Sequence, residues 1–257
     1  MSNRRDFIGT AMGLGALGLV GAPFDLKGLS VQNSLRGSVP GASRGGQRAE
    51  RWNGAGMNLL ILGGTGFIGP HVVTRALERG HNVTLFNRGR SNTHLFPETE
   101  KLVGDRNDDL TALEGRRWDA VIDNSGYTPD QVKLSVDLLA GSVDQYLFTS
   151  TRAVYTDFTA DVMDEDAPLG PADIPEDQWD GYGPNKVLAE RICQDAFGDR
   201  TLIVRPPIIV GPGDRSDRFT YWVDRIDDGG DVMAWGDADD PVQFVDVRDL
   251  SEFYIHL

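Results

Sequence analysis

Seven residues, Gly63-Gly64-Thr65-Gly66-Phe67-Ile68-Gly69, constrain this chain more than any other stretch. They follow the continuous apolar run Asn58–Leu62 and open an amphipathic segment, Phe67–Arg79, with Val72, Val73, Ala76 and Leu77 on one stripe. A short unbroken apolar run is the signature of a strand buried on both faces of a parallel sheet. Glycines at 63, 66 and 69 permit a tight strand-to-helix turn and let backbone N–H groups approach a pyrophosphate. The helix N-terminus adds the positive end of its dipole. A glycine triplet alone is a weak signal, but strand, turn and helix in this order are the context it requires. Dinucleotide binding is therefore expected, with Gly63, Thr65, Gly66, Phe67, Ile68 and Gly69 around the phosphates.

The rhythm continues downstream. Strands are predicted over Asn82–Phe86, Lys101–Val103, Ala120–Asp123, Gln145–Thr149 and Thr201–Val204, and helices over Gln131–Ala140 and Asn185–Ala196. Strands alternating with helices at this spacing predict an α/β fold, a doubly wound, Rossmann-like and mostly parallel sheet. The domain is expected to run over residues 57–257.

The 257 residues carry 39 acidic and 25 basic side chains, a net charge of −14. The balance is uneven: residues 1–56 hold seven basic and three acidic groups, and the remaining 201 hold 18 and 36. An acidic body argues against nucleic acid as the main partner, because phosphate binding needs a basic footprint. No run of eighteen apolar residues is present, so no membrane span is expected. The single cysteine, Cys193, excludes a disulfide framework or a Cys-based zinc site, and no histidine spacing suggests a metal. At the front, Asn3-Arg4-Arg5-Asp6-Phe7-Ile8 precedes the glycine-rich apolar run Gly9–Ala22. Residues 1–22 resemble a twin-arginine signal, which implies export to the periplasm or the exterior. The rival reading is a chance arginine pair before an interfacial helix. Residues 23–56 read as a flexible linker.

Two positions bear on the kind of dinucleotide. The ribose-binding carboxylate should fall about twenty residues after the glycine turn, at the end of the second strand. That position holds Asn87, followed by Arg88-Gly89-Arg90. Without a carboxylate to repel a 2′-phosphate, and with Arg88 beside it, the expected cofactor is NAD(P) with a lean towards NADP. The alternative is that both arginines are merely solvated. Asp105, after the third strand, is a candidate acceptor for the adenine amino group, and equally a plain loop aspartate.

The chemistry is expected from a hydroxyl and a Tyr–Lys pair. The fifth strand ends in Thr149-Ser150-Thr151-Arg152-Ala153-Val154-Tyr155, and Tyr182-Gly183-Pro184-Asn185-Lys186 opens a helix further on. Tyr and Lys four apart share a helix face. An ammonium beside a phenol should lower the phenol's pKa from its usual value of about 10. Such a phenol can exchange a proton with a substrate hydroxyl while hydride moves to or from nicotinamide.

Together these residues resemble the extended short-chain dehydrogenase/reductase family, in its NAD-dependent epimerase/dehydratase branch. The likeness includes Arg205-Pro206-Pro207 through Asp214 and Val242-Gln243-Phe244-Val245-Asp246-Val247-Arg248-Asp249-Leu250. The resemblance implies Tyr182 as catalytic acid/base, Lys186 as its tuner and a grip on the nicotinamide ribose, and Thr151 as the third hydroxyl, with Ser150 as competitor. It also implies a small-molecule or sugar-nucleotide substrate, leaves a homodimer open, and points to a small C-terminal substrate lobe that is truncated at Leu257. Thr151-Arg152-Ala153 lacks the acid pair of the family's dehydratases, which disfavours elimination. Carbonyl reduction and epimerisation with retained NAD both stay open, and a non-catalytic nucleotide- or RNA-binding module is the rival from another class. Tyr127 either touches nicotinamide or substrate or only packs, and Arg215, Arg218 and Arg248 either meet a diphosphate or form surface ion pairs.

Overall fold

The computed structural model describes residues 56–156, 163–171, 175, 178–234, 236–237 and 239–257. The expected signal and the linker up to residue 55 lie outside the described residues. Residues 56–230 with 243–257 form one compact unit, from which 231–242 stand apart. The architecture below is that of this unit.

Six strands form one sheet: β1 (Asn58–Leu62), β2 (Asn82–Asn87), β3 (Glu100–Val103), β4 (Trp118–Asp123), β5 (Val143–Thr149) and β6 (Thr201–Val204). Their order is β3-β2-β1-β4-β5-β6 and every pair is parallel. The helices are α1 (Ile68–Glu78), α2 (Pro129–Leu139), α3 (Tyr182–Phe197), α4 (Thr220–Asp227) and α5 (Val247–His256). The fold is thus the doubly wound α/β sheet that the alternation of patterns predicts. A second, two-stranded parallel sheet pairs β7 (Ile208–Val210) with β8 (Phe244–Asp246). Sequence periodicity gave no sign of it, because each strand is only three residues long.

Successive strand residues point to opposite faces, so a strand with both faces covered is apolar throughout. Leu60 and Leu62 of β1 join Val121, Tyr146 and Phe148 on the face covered by Val132 and Val136 of α2 and by Ala189 and Cys193 of α3. Leu59 and Ile61 join Leu85, Ile122 and Leu147 on the opposite face, with Val72, Val73 and Ala76 of α1 and Leu250 and Tyr254 of α5. Strand order reverses between β1 and β4. In open α/β sheets, ligands bind outside the carboxyl ends of the strands at such a point.

Two helices start earlier than predicted. α3 begins at Tyr182 rather than Asn185, because Pro184 falls in the first turn, where its missing N–H leaves no intrahelical bond unmade. α2 begins at Pro129 rather than Gln131, behind Thr128, whose hydroxyl caps the helix by accepting from the Gln131 N–H at 3.4 Å. β4 and β5 each begin two residues before the expected start, and β1 and β6 fall where expected.

Candidate active site

The glycine turn is held from both sides. The Gly63 N–H donates to the Phe86 carbonyl at 2.9 Å. Asn87 Nδ2 donates to the Gly63 carbonyl at 3.0 Å, and Asn92 Nδ2 donates to the Thr65 carbonyl at 2.8 Å. Gly63 has φ +117° and Gly64 has φ +85°, the left-handed region that only glycine adopts without strain. Gly69 is needed for a different reason: a Cβ there would lie 2.5 Å from Gly64 Cα. Gly66 is unlike all three. Its φ is not positive, it is exposed, and a Cβ on it would meet no protein atom within 4 Å. The fold itself gives no reason for glycine at 66, whereas a phosphate approaching the bare N–H groups does. This cradle fits the diphosphate of a dinucleotide.

At the end of β2, Asn87 is fully engaged, since its Oδ1 also accepts from the Gly89 N–H at 2.8 Å. It shapes the turn and presents no charge. Arg88 and Arg90 are exposed. Asp105 lies near both: the Asn107 N–H bond holds its carboxyl below the usual range, with the two guanidinium charges adding to the effect. Its Oδ1 also accepts from Asn107 Nδ2 at 2.6 Å, so it closes its own loop.

The structure brings Thr151, Tyr182 and Lys186 together. Thr151 is buried and caps the short 3₁₀ turn Arg152–Val154, accepting from the Ala153 N–H at 3.2 Å. Its side chain shares a hydrogen bond with the Tyr182 hydroxyl, which pulls the phenol's pKa downward. The neighbouring Ser150 is equally buried but its hydroxyl has no such partner. Lys186 is buried and donates Nζ to the carbonyls of Gly126, at 2.6 Å, and Thr149, at 2.7 Å. It lies 6.0 Å from the Tyr182 ring centroid. Burial depresses Lys186 to about 8, against the opposing charge of Asp123.

One expectation is reversed. Tyr182 is held above the ordinary tyrosine value, because burial of the phenol outweighs the Thr151 bond and the Arg218 charge. The lysine ammonium is aimed at two carbonyls, not at the phenol. Tyr127 stands beside the site: the Lys186 ammonium lies 5.6 Å from its ring centroid, and the side chain is 46% exposed.

Sequence reasoning missed the groups that hold Lys186. Two are backbone carbonyls, which carry no sequence signal. A further group touches Lys186 only through its charge: the buried Asp123 carboxylate, itself paired with Arg106 and Tyr146. Arg106 follows Asp105 in an ordinary-looking turn, and nothing in spacing points it inward. Of the arginines offered for a diphosphate, Arg248 is paired with Asp246 at 2.7 Å and Arg218 with Asp214 at 3.4 Å. His71 Nε2 contacts the Pro212 carbonyl at 2.8 Å, and His81 Nδ1 accepts from the Met57 N–H at 3.1 Å. Burial raises the Cys193 thiol well above its usual range. Among the described residues no group of three His, Cys, Asp or Glu side chains is placed to hold a metal, and no helix is long and apolar enough to cross a membrane.

The model of the NAD dependent epimerase/dehydratase family matches residues 59–257, so the chain belongs to that family. It is 29% identical over 167 residues to UDP-glucose 4-epimerase of Neisseria meningitidis, covering 54% of this chain and 48% of that protein. It is 32% identical over 179 residues to 3 beta-hydroxysteroid dehydrogenase/Delta 5→4-isomerase of Mycobacterium tuberculosis, covering 62% and 48%. It is also 27% identical over 218 residues to the chloroplast stem-loop binding protein of 41 kDa b of Arabidopsis thaliana, covering 77% and 54%. The chain thus spans about half the length of these curated relatives. The crystal structure of the Bordetella bronchiseptica enzyme WbmH in complex with NAD⁺ shares the fold, with a TM-score of 0.59 at 19% identity over 78% of this chain and 72% of that one.

Proposed function

We propose that this chain is the dinucleotide-binding part of an NAD(P)-dependent oxidoreductase that acts on a hydroxyl or carbonyl of a small or sugar-like substrate. The observation that carries the reading is the hydrogen-bonded Thr151–Tyr182 pair, with Lys186 one helical turn on, at the carboxyl ends of β4 and β5. The backbone around Gly66 would hold the diphosphate, and Lys186 would hold the nicotinamide ribose. The nicotinamide supplies hydride transfer when bound. Tyr182, kept protonated by burial, is the proton donor to a substrate carbonyl oxygen, and Thr151 fixes that oxygen's position. In the reverse direction Tyr182 must first lose its own proton to solvent; the phenolate then takes the substrate's hydroxyl proton, and the Lys186 ammonium on the same helix face would be the nearest charge favouring that phenolate. Tyr182→Phe removes the transferable proton and keeps the ring. Turnover should fall about 10²- to 10⁴-fold with cofactor affinity unchanged, as read from nicotinamide fluorescence against a panel of hydroxysteroids and UDP-sugars. Full activity in the variant refutes the assignment.

NADP is the preferred form in this reading, because Asn87 offers no carboxylate and Arg88 is exposed beside it. Replacing Arg88 by Ala should weaken NADP⁺ binding about tenfold and leave NAD⁺ binding within twofold, consistent with one lost charge-assisted contact. Calorimetry with both cofactors decides, and tighter NAD⁺ binding by the native chain overturns the preference.

A second reading, nucleotide-sugar epimerisation with NAD retained between turnovers, is supported by the Neisseria relative. Cofactor that survives purification favours the epimerase; free exchange favours the reductase. The stem-loop-binding relative supports a nucleic-acid role, against which stand the acidic body and the assembled Thr151, Tyr182 and Lys186. Export by the twin-arginine route belongs to the same proposal. Replacing Arg4 and Arg5 by Lys should keep a folded reporter in the cytoplasm.

A further inference from the structure

Beneath the site lies a buried ionic cluster that the reaction just described does not use. Arg106, in the connection from β3 to β4, donates Nη1 to Asp123 Oδ1 at 2.5 Å and Nη2 to Asp123 Oδ2 at 2.8 Å. The Tyr146 hydroxyl donates to the same Oδ2 at 2.8 Å. The Asp123 side chain has no exposed surface and that of Arg106 is 11% exposed. Arg106 also reaches Ser125 Oγ at 3.1 Å and Ser135 Oγ at 3.2 Å. Asp123 Oδ1 accepts from the Ser125 N–H at 3.1 Å, and the Ser125 hydroxyl donates to the Leu62 carbonyl at 2.8 Å. One ion pair therefore ties the ends of β1 and β4 to α2.

The cluster meets Lys186 through Gly126. A Cβ on Gly126 would lie 3.1 Å from Asp123 Oδ2 and 3.0 Å from Phe148 Cε2, so this backbone rests directly on the carboxylate and the ring. The Gly126 carbonyl is one of the two that accept from Lys186. Phe148 is the register partner of Asp123, and its ring centroid lies 4.6 Å from Nζ. A buried ion pair is costly to desolvate and weak evidence of stability, so a role in fixing geometry or charge is the better explanation for one placed here.

We propose that Arg106, Asp123 and Tyr146 are the positioning cluster of Lys186: the Asp123 carboxylate is the counter-charge that keeps the lysine an ammonium, and the cluster, through its bonds to Ser125, fixes the backbone that carries the Gly126 carbonyl onto which that ammonium is aimed. The inference rests on the reading of Lys186 as a working residue of the dinucleotide site. The groups facing Lys186 are Asp123 from β4, Arg106 from the β3–β4 connection, Tyr127 from the β4–α2 loop, and Tyr182, Glu190 and Cys193 from its own helix. Asp123 favours the charged lysine most, and Arg106 opposes it most among the neighbouring charges.

The chain has only four lysines, Lys27, Lys101, Lys133 and Lys186, so nitrogen-15 lysine spectra of the full chain resolve each titration. Lys186 should titrate near 8. Asp123→Asn leaves the guanidinium without its partner, and the Lys186 midpoint should fall by at least one pH unit, a tenfold change in proton dissociation. A variant that merely loosened the site would admit water and move the midpoint up towards the ordinary lysine value. An unchanged or raised midpoint in folded Asp123→Asn overturns the proposal. If circular dichroism shows that variant unfolded, Arg106→Gln with Asp123→Asn leaves no lone charge. Its midpoint should still fall, because the carboxylate acts more strongly than the guanidinium, and a midpoint equal to or above the native one overturns the proposal. The titration needs neither cofactor nor substrate. Full turnover in Tyr182→Phe would therefore refute the reaction without altering this result.

Discussion

The glycine turn and the lysine pocket both lie at the carboxyl ends of central strands and are built on opposite principles. The turn is one continuous segment, Gly63–Gly69, whose function rests on backbone shape and on the absence of side chains. The pocket is assembled from β4, β5, α3 and two loops, and it is defined by charges removed from water. Local backbone chemistry can be written in seven consecutive letters. Charge chemistry of this kind depends on how distant segments are brought together, because a buried ion's state is set by every neighbour within a few ångströms.

Three substitutions sharpen this contrast. The largest effect on stability is expected at Gly69. An added methyl at 2.5 Å from Gly64 Cα forces helix and turn apart, so Gly69→Ala should cost about 3 kcal/mol in urea unfolding and should also weaken cofactor binding. A loss below about 0.5 kcal/mol, within the range of ordinary surface substitutions, would show that the turn can yield and is less rigid than its contacts imply.

Lys186 comes next and behaves in the opposite way, because its effect depends on pH. Its folded value of about 8 lies below the unfolded lysine value, so between those two values the unfolded chain binds the extra proton. Its contribution to stability therefore rises with pH from about 8 to about 10.5 and is least favourable below 8. The full swing is of order 3 kcal/mol. Lys186→Met should remove that alkaline rise, so the stability difference between native and variant, measured at pH 7.5 and pH 10, should change in favour of the native chain. A difference independent of pH would mean that Lys186 is not desolvated.

The smallest stability effect is expected at Gly66. Gly66→Ala meets no protein atom and needs no left-handed backbone, so unfolding should shift by less than about 0.5 kcal/mol. Dinucleotide affinity should nonetheless fall about tenfold, close to 1.4 kcal/mol. Comparable losses in stability at Gly66 and Gly69 would break the distinction between a glycine kept for the fold and one kept for the ligand.

The same division explains what was legible in the sequence. β1, the turn and α1 were readable because a parallel strand shielded on both faces must be apolar throughout, and the helix after it shows its stripe. Periodicity alone starts α3 at Asn185, while the Tyr182–Lys186 spacing already requires the helix to begin at Tyr182, where the structure starts it with Pro184 in the first turn. The Tyr182–Lys186 spacing was legible because residues four apart share a helix face, whereas the choice of Thr151 over Ser150 came only from the family resemblance. The direction of the Tyr182 shift was not recoverable. It depends on how deeply the phenol is buried, and on Lys186 pointing towards Gly126 and Thr149. The Arg106–Asp123 pair was invisible for a similar reason, as an arginine in an acidic loop normally faces water.

By itself, then, the sequence determined the alternation of strands and helices, the glycine turn between β1 and α1, and the residue types the proposed chemistry draws on. These follow from local periodicity and from glycine's missing side chain. Only the tertiary structure decided which carbonyls receive the lysine, which hydroxyl reaches the tyrosine, and which buried carboxylate faces the charge. The physical reason is that desolvation and ion pairing are set by three-dimensional proximity. Arg106 and Asp123, and Gly126 and Lys186, become neighbours only when the strands pair and the helices pack on the sheet.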